Sequence, residues 1–189
     1  MPKKNITDKF WGNTLLNCPA DLAPWLRDRG SLTRRIQQRC TQLEVRASCT
    51  GLARIALDEA ALLGVMPQQL AYSREVFLYA NNNPVVFAHS ALARTHLRGT
   101  WSVLLRLGNK PLGAVLFAHP LVKRKSLSYK RLHHKHPLYQ RAAQVLNKLP
   151  HSLWARRSLF YLHDAPLLVT EIFLPEILRL PDVLRPTDP

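Results

Sequence analysis

Trp154-Ala-Arg-Arg-Ser-Leu-Phe-Tyr-Leu162 and Leu167-Leu-Val-Thr-Glu-Ile-Phe-Leu174, separated by His163-Asp-Ala-Pro166, decide the fold. Both runs are rich in aromatic and branched residues, and the four residues between them are turn formers. The segment therefore reads as two antiparallel strands. The second strand is apolar on both faces: Leu167, Val169, Glu171 and Phe173 point one way, and Leu168, Thr170, Ile172 and Leu174 the other. Glu171 is its only charge. A carboxylate on a buried strand must be neutral, ion-paired or hydrogen-bonded to a group brought to it, so the rest of the chain must supply what Glu171 faces.

One candidate lies in Tyr72-Ser-Arg-Glu-Val-Phe-Leu-Tyr-Ala80, where Arg74, Val76, Leu78 and Ala80 share a strand face. Asn81-Asn-Asn-Pro84 is a turn signal, and Val85–Ala93 returns as the partner strand. Arg74 is thus a cation among aliphatic side chains, the counterpart of Glu171. Towards the N-terminus, Leu22, Trp25 and Leu26 fall at helical spacing, with Gly30 as a C-terminal signal. Ser31 reads as the N-cap of a second short helix, Leu32–Arg39. Its basic face, Arg34, Arg35 and Arg39, is expected to be solvated. A helix-turn-helix DNA reader fits poorly, because the second helix is short and the remainder of the chain is not helical. Leu43–Thr50 is expected to be extended, and 58–71 a connector or a short helix broken near Pro67. Trp101–Leu107 reads as a helix between Thr100 as N-cap and Gly108 as its stop. Asn109-Lys-Pro-Leu-Gly113 is a corner where glycine lets backbone amides approach a ligand, or simply a turn. Leu121–Pro150 is the least regular part, expected as a flap, an insertion or a surface loop with one helix, Tyr139–Leu149.

The 189 residues, 47% hydrophobic and 21% charged, suffice for one domain with a real core. The expected division is a lead-in over 1–20, a domain over 21–178 with a basic insertion-like segment at 118–153, and a tail over 179–189. Two helices followed by hairpin-linked strands predict an antiparallel α+β fold. Cys18, Cys40 and Cys49 are odd in number and form no C-x-x-C pair, which disfavours a disulfide framework or a structural zinc. No apolar run follows the basic N-terminal residues, and none reaches the ~18 residues of a membrane helix. A cytoplasmic protein without membrane insertion is expected. The net charge of +15 draws in an anion, whether nucleic acid, lipid or small substrate, without choosing among them. His133-His-Lys-His136 has metal-ligating side chains, but the surrounding cations oppose a metal ion. Tyr129 and Tyr139 interleave with basic residues as in some nucleic-acid binders, but no nucleic-acid partner is expected. No phosphate-binding glycine loop, nucleophile elbow or H-E-x-x-H occurs, so no cofactor and no metal are expected.

From the residue pattern, Arg74 and Glu171 either pair with each other as a buried salt bridge or flank a closed pocket. In the second case the guanidinium forks onto a carboxylate and the glutamate accepts from a hydroxyl, so the ligand is a small acid with a hydroxyl at its far end. Four blocks carry a family resemblance. They are Ser31-Leu-Thr-Arg-Arg-Ile36, Arg74-Glu-Val-Phe-Leu78, Leu107-Gly-Asn-Lys-Pro-Leu-Gly113 with Leu116-Phe117, and Trp154–Ser158 continuing through Leu167–Pro175. In this order they resemble chorismate lyase, and they span Ser31 to Pro175. The resemblance implies helical flaps over a buried pocket in an antiparallel sheet. It also implies cofactor-free conversion of chorismate to 4-hydroxybenzoate and pyruvate, the step that commits chorismate to ubiquinone, by a chain expected to be monomeric. It places the carboxylate-binding arginine on Arg74, the hydroxyl-binding glutamate on Glu171, and two backbone contacts to the ligand on Leu32 and Leu112. Arg74 and Glu171 are thereby the candidate catalytic residues. The chain departs from the family in three places. Leu32 stands where a methionine is found, Ala118–Leu153 is long and very basic, and the ends carry no family motif. Chorismate is a dianion, so the Lys123–His136 run would steer it inward. Chorismate lyase also resembles the effector-binding domains of some bacterial transcription regulators. The rival expectation is therefore a non-catalytic module binding a small aromatic acid, although residues 1–30 are too few for a DNA-binding domain of its own.

Overall fold

The structure, a computed structural model, describes residues 11–182. Residues 1–10 of the expected lead-in and 183–189 of the expected tail lie outside the described residues. Two short helices, α1 (Ala23–Arg27) and α2 (Leu32–Gln37), precede β1 (Leu43–Arg54). Then come α3 (Leu57–Leu63), β2 (Leu70–Ala80), β3 (Asn83–Ala93) and α4 (Leu112–Ala118). Next are β4 (Val122–Arg124), β5 (Ser128–His133) and α5 (Pro137–Ala142), and finally β6 (Ser152–Leu162) and β7 (Ala165–Phe173). The strands form one sheet in the order β1-β2-β3-β7-β6-β4, with β5 also pairing β6. Every pairing is antiparallel. This is the α+β fold that the sequence predicts.

Both hairpins expected from the turn residues form. Asn81 and Asn82 take φ of 47° and 65°, and two consecutive left-handed residues make the turn whose twist suits β2 and β3. The Asn81 side-chain oxygen also accepts from the Thr41 and Gln42 backbone amides at 3.1 and 3.0 Å, fixing the entry to β1. His163, at φ 52°, turns β6 into β7.

Helices cover both faces of the sheet, which explains why β2 and β7 lack a clean polar alternation. On the front, Leu26, Leu32 and Ile36 of α1 and α2 pack with Val76, Leu78 and Phe173. Leu112 and Leu116 of α4 pack there with Trp101, Phe160 and Leu167. On the back, α5 lies over Phe77, Phe87 and Ile172, and α3 over Ala91 and Leu168. Cys18, Cys40 and Cys49 are all free. Among the described residues no helix is long and apolar enough to cross a membrane.

Several local expectations need correction. The helix α1 ends at Arg27, not at a glycine signal: Asp28 leaves helical geometry and its side chain accepts from the Gly30 amide at 2.7 Å. Ser31 does cap α2, accepting from Arg34 N at 3.3 Å, but α2 stops at Gln37. Its basic face is not simply solvated, since Arg35 lies over the Trp25 ring at 4.3 Å and pairs with Asp28 at 3.1 Å. The expected Trp101–Leu107 α-helix is a 3-10 turn over Ser102–Arg106 with no side-chain cap, so Thr100 plays no capping role. Leu121–Pro150 holds two strands, and its helix lies at Pro137–Ala142, ahead of the expected 139–149. His136 belongs to that helix as its cap, accepting from Leu138 N at 3.2 Å.

Candidate active site

Register alone gathers the polar residues. Antiparallel pairing aligns Arg74, Ser90, Val169 and Ser158 in one row across β2, β3, β7 and β6. Two residues along, Val76, Ala88, Glu171 and Arg156 form the parallel row on the same front face. α2 and α4 lie over these rows, and between them is a narrow cavity of about 50 Å³, room for about one or two waters. Leu32 and Thr33 of α2, Leu112 and Gly113 of α4, and Arg74, Arg124 and Glu171 line it. Arg74, Glu171, Leu32 and Leu112 are thus brought together.

Arg74 and Glu171 do not pair with each other. Glu171 takes its cation from the neighbouring strand: Arg156 Nε donates to its Oε2 at 2.5 Å. Arg156 is completely buried. Its Nη1 donates to the carbonyls of Trp25, at 3.0 Å, and Asp28, where α1 ends. These carbonyls lack acceptable donors within a finished helix, so Arg156 satisfies them and fixes α1 to the sheet. The sequence reading gave Arg156 no role. Its cross-strand position opposite Glu171 was the usable signal, but it needs the hairpin register to be counted.

Arg74 is buried, and its Nη2 donates to the carbonyls of Gly108 and Lys110, both at 2.9 Å. Gly108, at φ 50°, is left-handed, a conformation glycine adopts without steric cost. Burial pushes the Arg74 pKa down, with Tyr72 partly opposing. The Arg74 Nε and Nη1 make no hydrogen bond to the described residues. Leu32 and Leu112 are the first residues of α2 and α4, so neither backbone N–H has an acceptor within its own helix. Gly113 permits the two helices to meet. A Cβ there would lie 3.3 Å from both Ser31 Oγ and Thr33 Oγ1. The glycine's role is therefore helix approach rather than a corner.

On the back of the sheet, Glu75, His89, Thr170 and Arg157 form a third row, interleaved between the two front rows. His89 lies 3.0 Å from Glu75 and 3.2 Å from Glu59 of α3. Arg141 of α5 pairs with Glu75 at 2.9 Å, and Arg157 with Asp58 at 2.7 Å. Burial opposes a charge on His89, but Glu59 and Glu75 outweigh it and hold its pKa up at about 9.

A sequence profile described as chorismate lyase matches residues 10–180. A protein of Nitrosospira multiformis named probable chorismate pyruvate-lyase is 50% identical over 167 residues, 86% of this chain and 93% of that protein. One of the same name from Nitrosomonas europaea is 48% identical over 170 residues, 90% of this chain and 96% of that protein. Among solved structures, a GntR-family transcriptional regulator from Bacillus cereus matches with a TM-score of 0.55 at 14% identity, covering 77% of this chain and 100% of that one. The effector domain of PhnF from Mycobacterium smegmatis matches with 0.55 at 14%, covering 78% and 90%. At these identities the structural likeness is one of fold.

Proposed function

Because the chain belongs to the chorismate lyase family, we propose that it eliminates pyruvate from chorismate to give 4-hydroxybenzoate, the entry to ubiquinone, in the cytoplasm and without a cofactor. The observation that carries this reading is the cavity that Arg74, Glu171, Leu32 and Leu112 line together. A ring with a carboxylate at one end and a hydroxyl at the other suits that arrangement. Arg74 supplies the counter-charge to the ring carboxylate and a single N–H from Nε or Nη1, while its Nη2 stays tied to two carbonyls. The N–H groups of Leu32 and Leu112 add two neutral donors. Glu171, its counter-charge supplied by Arg156, accepts from the 4-hydroxyl.

The chemistry needs little more than positioning. The C4 hydrogen passes to the methylene of the enolpyruvyl group, which becomes the methyl of pyruvate. The C3–O bond breaks, its electrons forming the pyruvate carbonyl, and the C4–H electrons complete the aromatic ring. Aromatisation drives the reaction, so a site that holds the enolpyruvyl arm over C4 converts binding into rate. A second route uses Glu171 as a general base at C4. The cavity of about 50 Å³ must enlarge to admit chorismate, and α2 and α4 are the elements that would move as flaps.

The test is to incubate the purified chain with chorismate, adding no metal or cofactor, and to follow both products. Equimolar 4-hydroxybenzoate and pyruvate are expected, with large losses in Arg74→Ala and Glu171→Ala. Tight binding of 4-hydroxybenzoate without turnover would replace the lyase by a non-catalytic aromatic-acid-binding module.

A further inference from the structure

Besides Arg74, one more cation lines the cavity among its described residues: Arg124, on the short edge strand β4. No carboxylate lies within ion-pair distance of it among the described residues. Its guanidinium is nevertheless fixed. Nε donates to Ser158 Oγ at 2.8 Å and Nη1 to the Arg29 carbonyl, also at 2.8 Å. The carbon at its centre sits 5.2 Å above the Phe160 ring and 5.6 Å from that of Phe117. Two fixed contacts out of five N–H donors leave a fork of Nη2 and the second Nη1 hydrogen. Ser158 stands in the same sheet row as Arg74, two strands beyond Ser90. The two arginines therefore reach the cavity from opposite ends of one row. β4 pairs with β6 and β6 with β7, so Arg124 stands on the Glu171 side of the cavity and away from Arg74 on β2.

We propose that Arg124 binds the enolpyruvyl carboxylate of chorismate and is a determinant of substrate over product. The inference rests on the lyase reading of the cavity. Chorismate carries two carboxylates, one on C1 and one on the arm at C3, next to the C4 hydroxyl. With the ring carboxylate on Arg74 and the hydroxyl on Glu171, the arm falls on the Glu171 side. A second carboxylate placed there without a cation would meet the Glu171 carboxylate in a partly dehydrated cavity, at a large cost. Arg156 does not line the cavity: its Nε is held by Glu171 and its Nη1 by the end of α1, and its Nη2, although without a hydrogen-bond partner, is buried. Arg124 has the free fork and the position. It would hold the arm across the ring face, where its methylene meets the C4 hydrogen. The product 4-hydroxybenzoate has no arm and makes no call on Arg124.

The experiment compares the wild type with Arg124→Gln, Arg124→Lys and Ser158→Ala. It reads kcat/KM for chorismate, the Kd of 4-hydroxybenzoate and inhibition by pyruvate. Arg124→Gln is expected to lower kcat/KM on the order of 10²-fold, as for loss of a buried charge-assisted contact. The Kd of 4-hydroxybenzoate should stay within about threefold, and pyruvate inhibition should disappear. Arg124→Lys should recover part of the rate, because it keeps the charge and loses the fork. Ser158→Ala, which leaves the charge in place and frees its orientation, should show the same pattern about tenfold more weakly. If Arg124→Gln does not fold, Ser158→Ala decides by the same pattern. Unchanged kcat/KM in a wild type that turns over chorismate would overturn the proposal. So would a parallel loss of 4-hydroxybenzoate binding, which would make Arg124 a general support of the cavity. A wild type that releases no pyruvate at all fails the lyase reading itself, independently of Arg124.

Discussion

Replacing Arg156 by methionine should destabilise the protein by about 3–5 kcal/mol, the cost of removing one partner from a buried ion pair. Two losses combine. The Glu171 carboxylate, whose side chain is 17% exposed, loses its counter-ion. The Trp25 and Asp28 carbonyls lose their donor, at about 1–3 kcal/mol for each acceptor left unsatisfied. Methionine fills the aliphatic part of the space, and Glu171 can solvate through the cavity, so the sum is reduced towards the stated range. In urea, with a slope of about 2–3 kcal/mol/M, the midpoint should fall by roughly 1–2 M. Glu171→Gln keeps an oxygen for Arg156 and should cost less, about 1–2 kcal/mol. The double variant carries no charge at the pair, so its cost should fall short of the two single costs added together by about 2 kcal/mol. The measurement is a urea titration of all four proteins at pH 7, followed by tryptophan fluorescence. An Arg156→Met midpoint indistinguishable from wild type would refute the reasoning. So would an additive double variant, which would mean that the pair is not coupled.

Arg74→Gln should weaken 4-hydroxybenzoate binding by at least 10²-fold in calorimetry, and a change below threefold would remove Arg74 from the ligand. Gly113→Val should lower stability by about 1–3 kcal/mol, because its Cβ would press on Ser31 and Thr33; a melting temperature at or above wild type would show that α4 can shift freely. His89 contributes through a folded pKa raised to about 9 from 6.5, so its stabilisation is complete below pH 6.5 and is lost as pH rises through 9. The shift corresponds to roughly 3 kcal/mol. The stability gap between wild type and His89→Gln should close across that interval, and a gap independent of pH would discard the ion-pair account. Lys123→Gln with Lys125→Gln should lower kcat/KM chiefly at low salt if these residues steer the dianion; an unchanged salt dependence would count against steering.

The strands were legible because their faces were. Alternation along 72–80 and 167–174 put Arg74 with Val76 and Leu78, and Glu171 with Val169, on the faces they occupy. Turn residues placed both hairpins. Partners of the charges were not legible, because they depend on register between strands rather than on order within one. Arg156 meets Glu171 only once the His163-Asp164 turn sets Leu162 against Ala165. The helix ends failed for a different reason. Asp28 and Trp101 end or begin their segments through contacts with the sheet and its loops, which outweigh the local signals of Gly30 and Thr100. The basic stretch 121–150 hid two strands because its outer residues are lysines, arginines and histidines, the composition that blunts a sheet edge.

The polar floor of the cavity also specifies the fold. On each of four central strands a cavity-side residue is followed or preceded by one that belongs to the back-face network: Arg74 by Glu75, Ser90 by His89, Glu171 by Thr170, Arg156 by Arg157. A slip of one residue in any pairing would exchange the faces. Glu75 would then leave His89 and Arg141 for the cavity, and Glu171 would enter the layer under α3 and α5 without Arg156. Both faces would hold buried charges without partners, at several kcal/mol each. An all-apolar floor would bind the helices as well but would not penalise the slip so heavily. The ion network behind the sheet therefore fixes the register on which the geometry of Arg74, Arg124 and Glu171 depends. Its residues bear on the geometry of the cavity although none of them lines it.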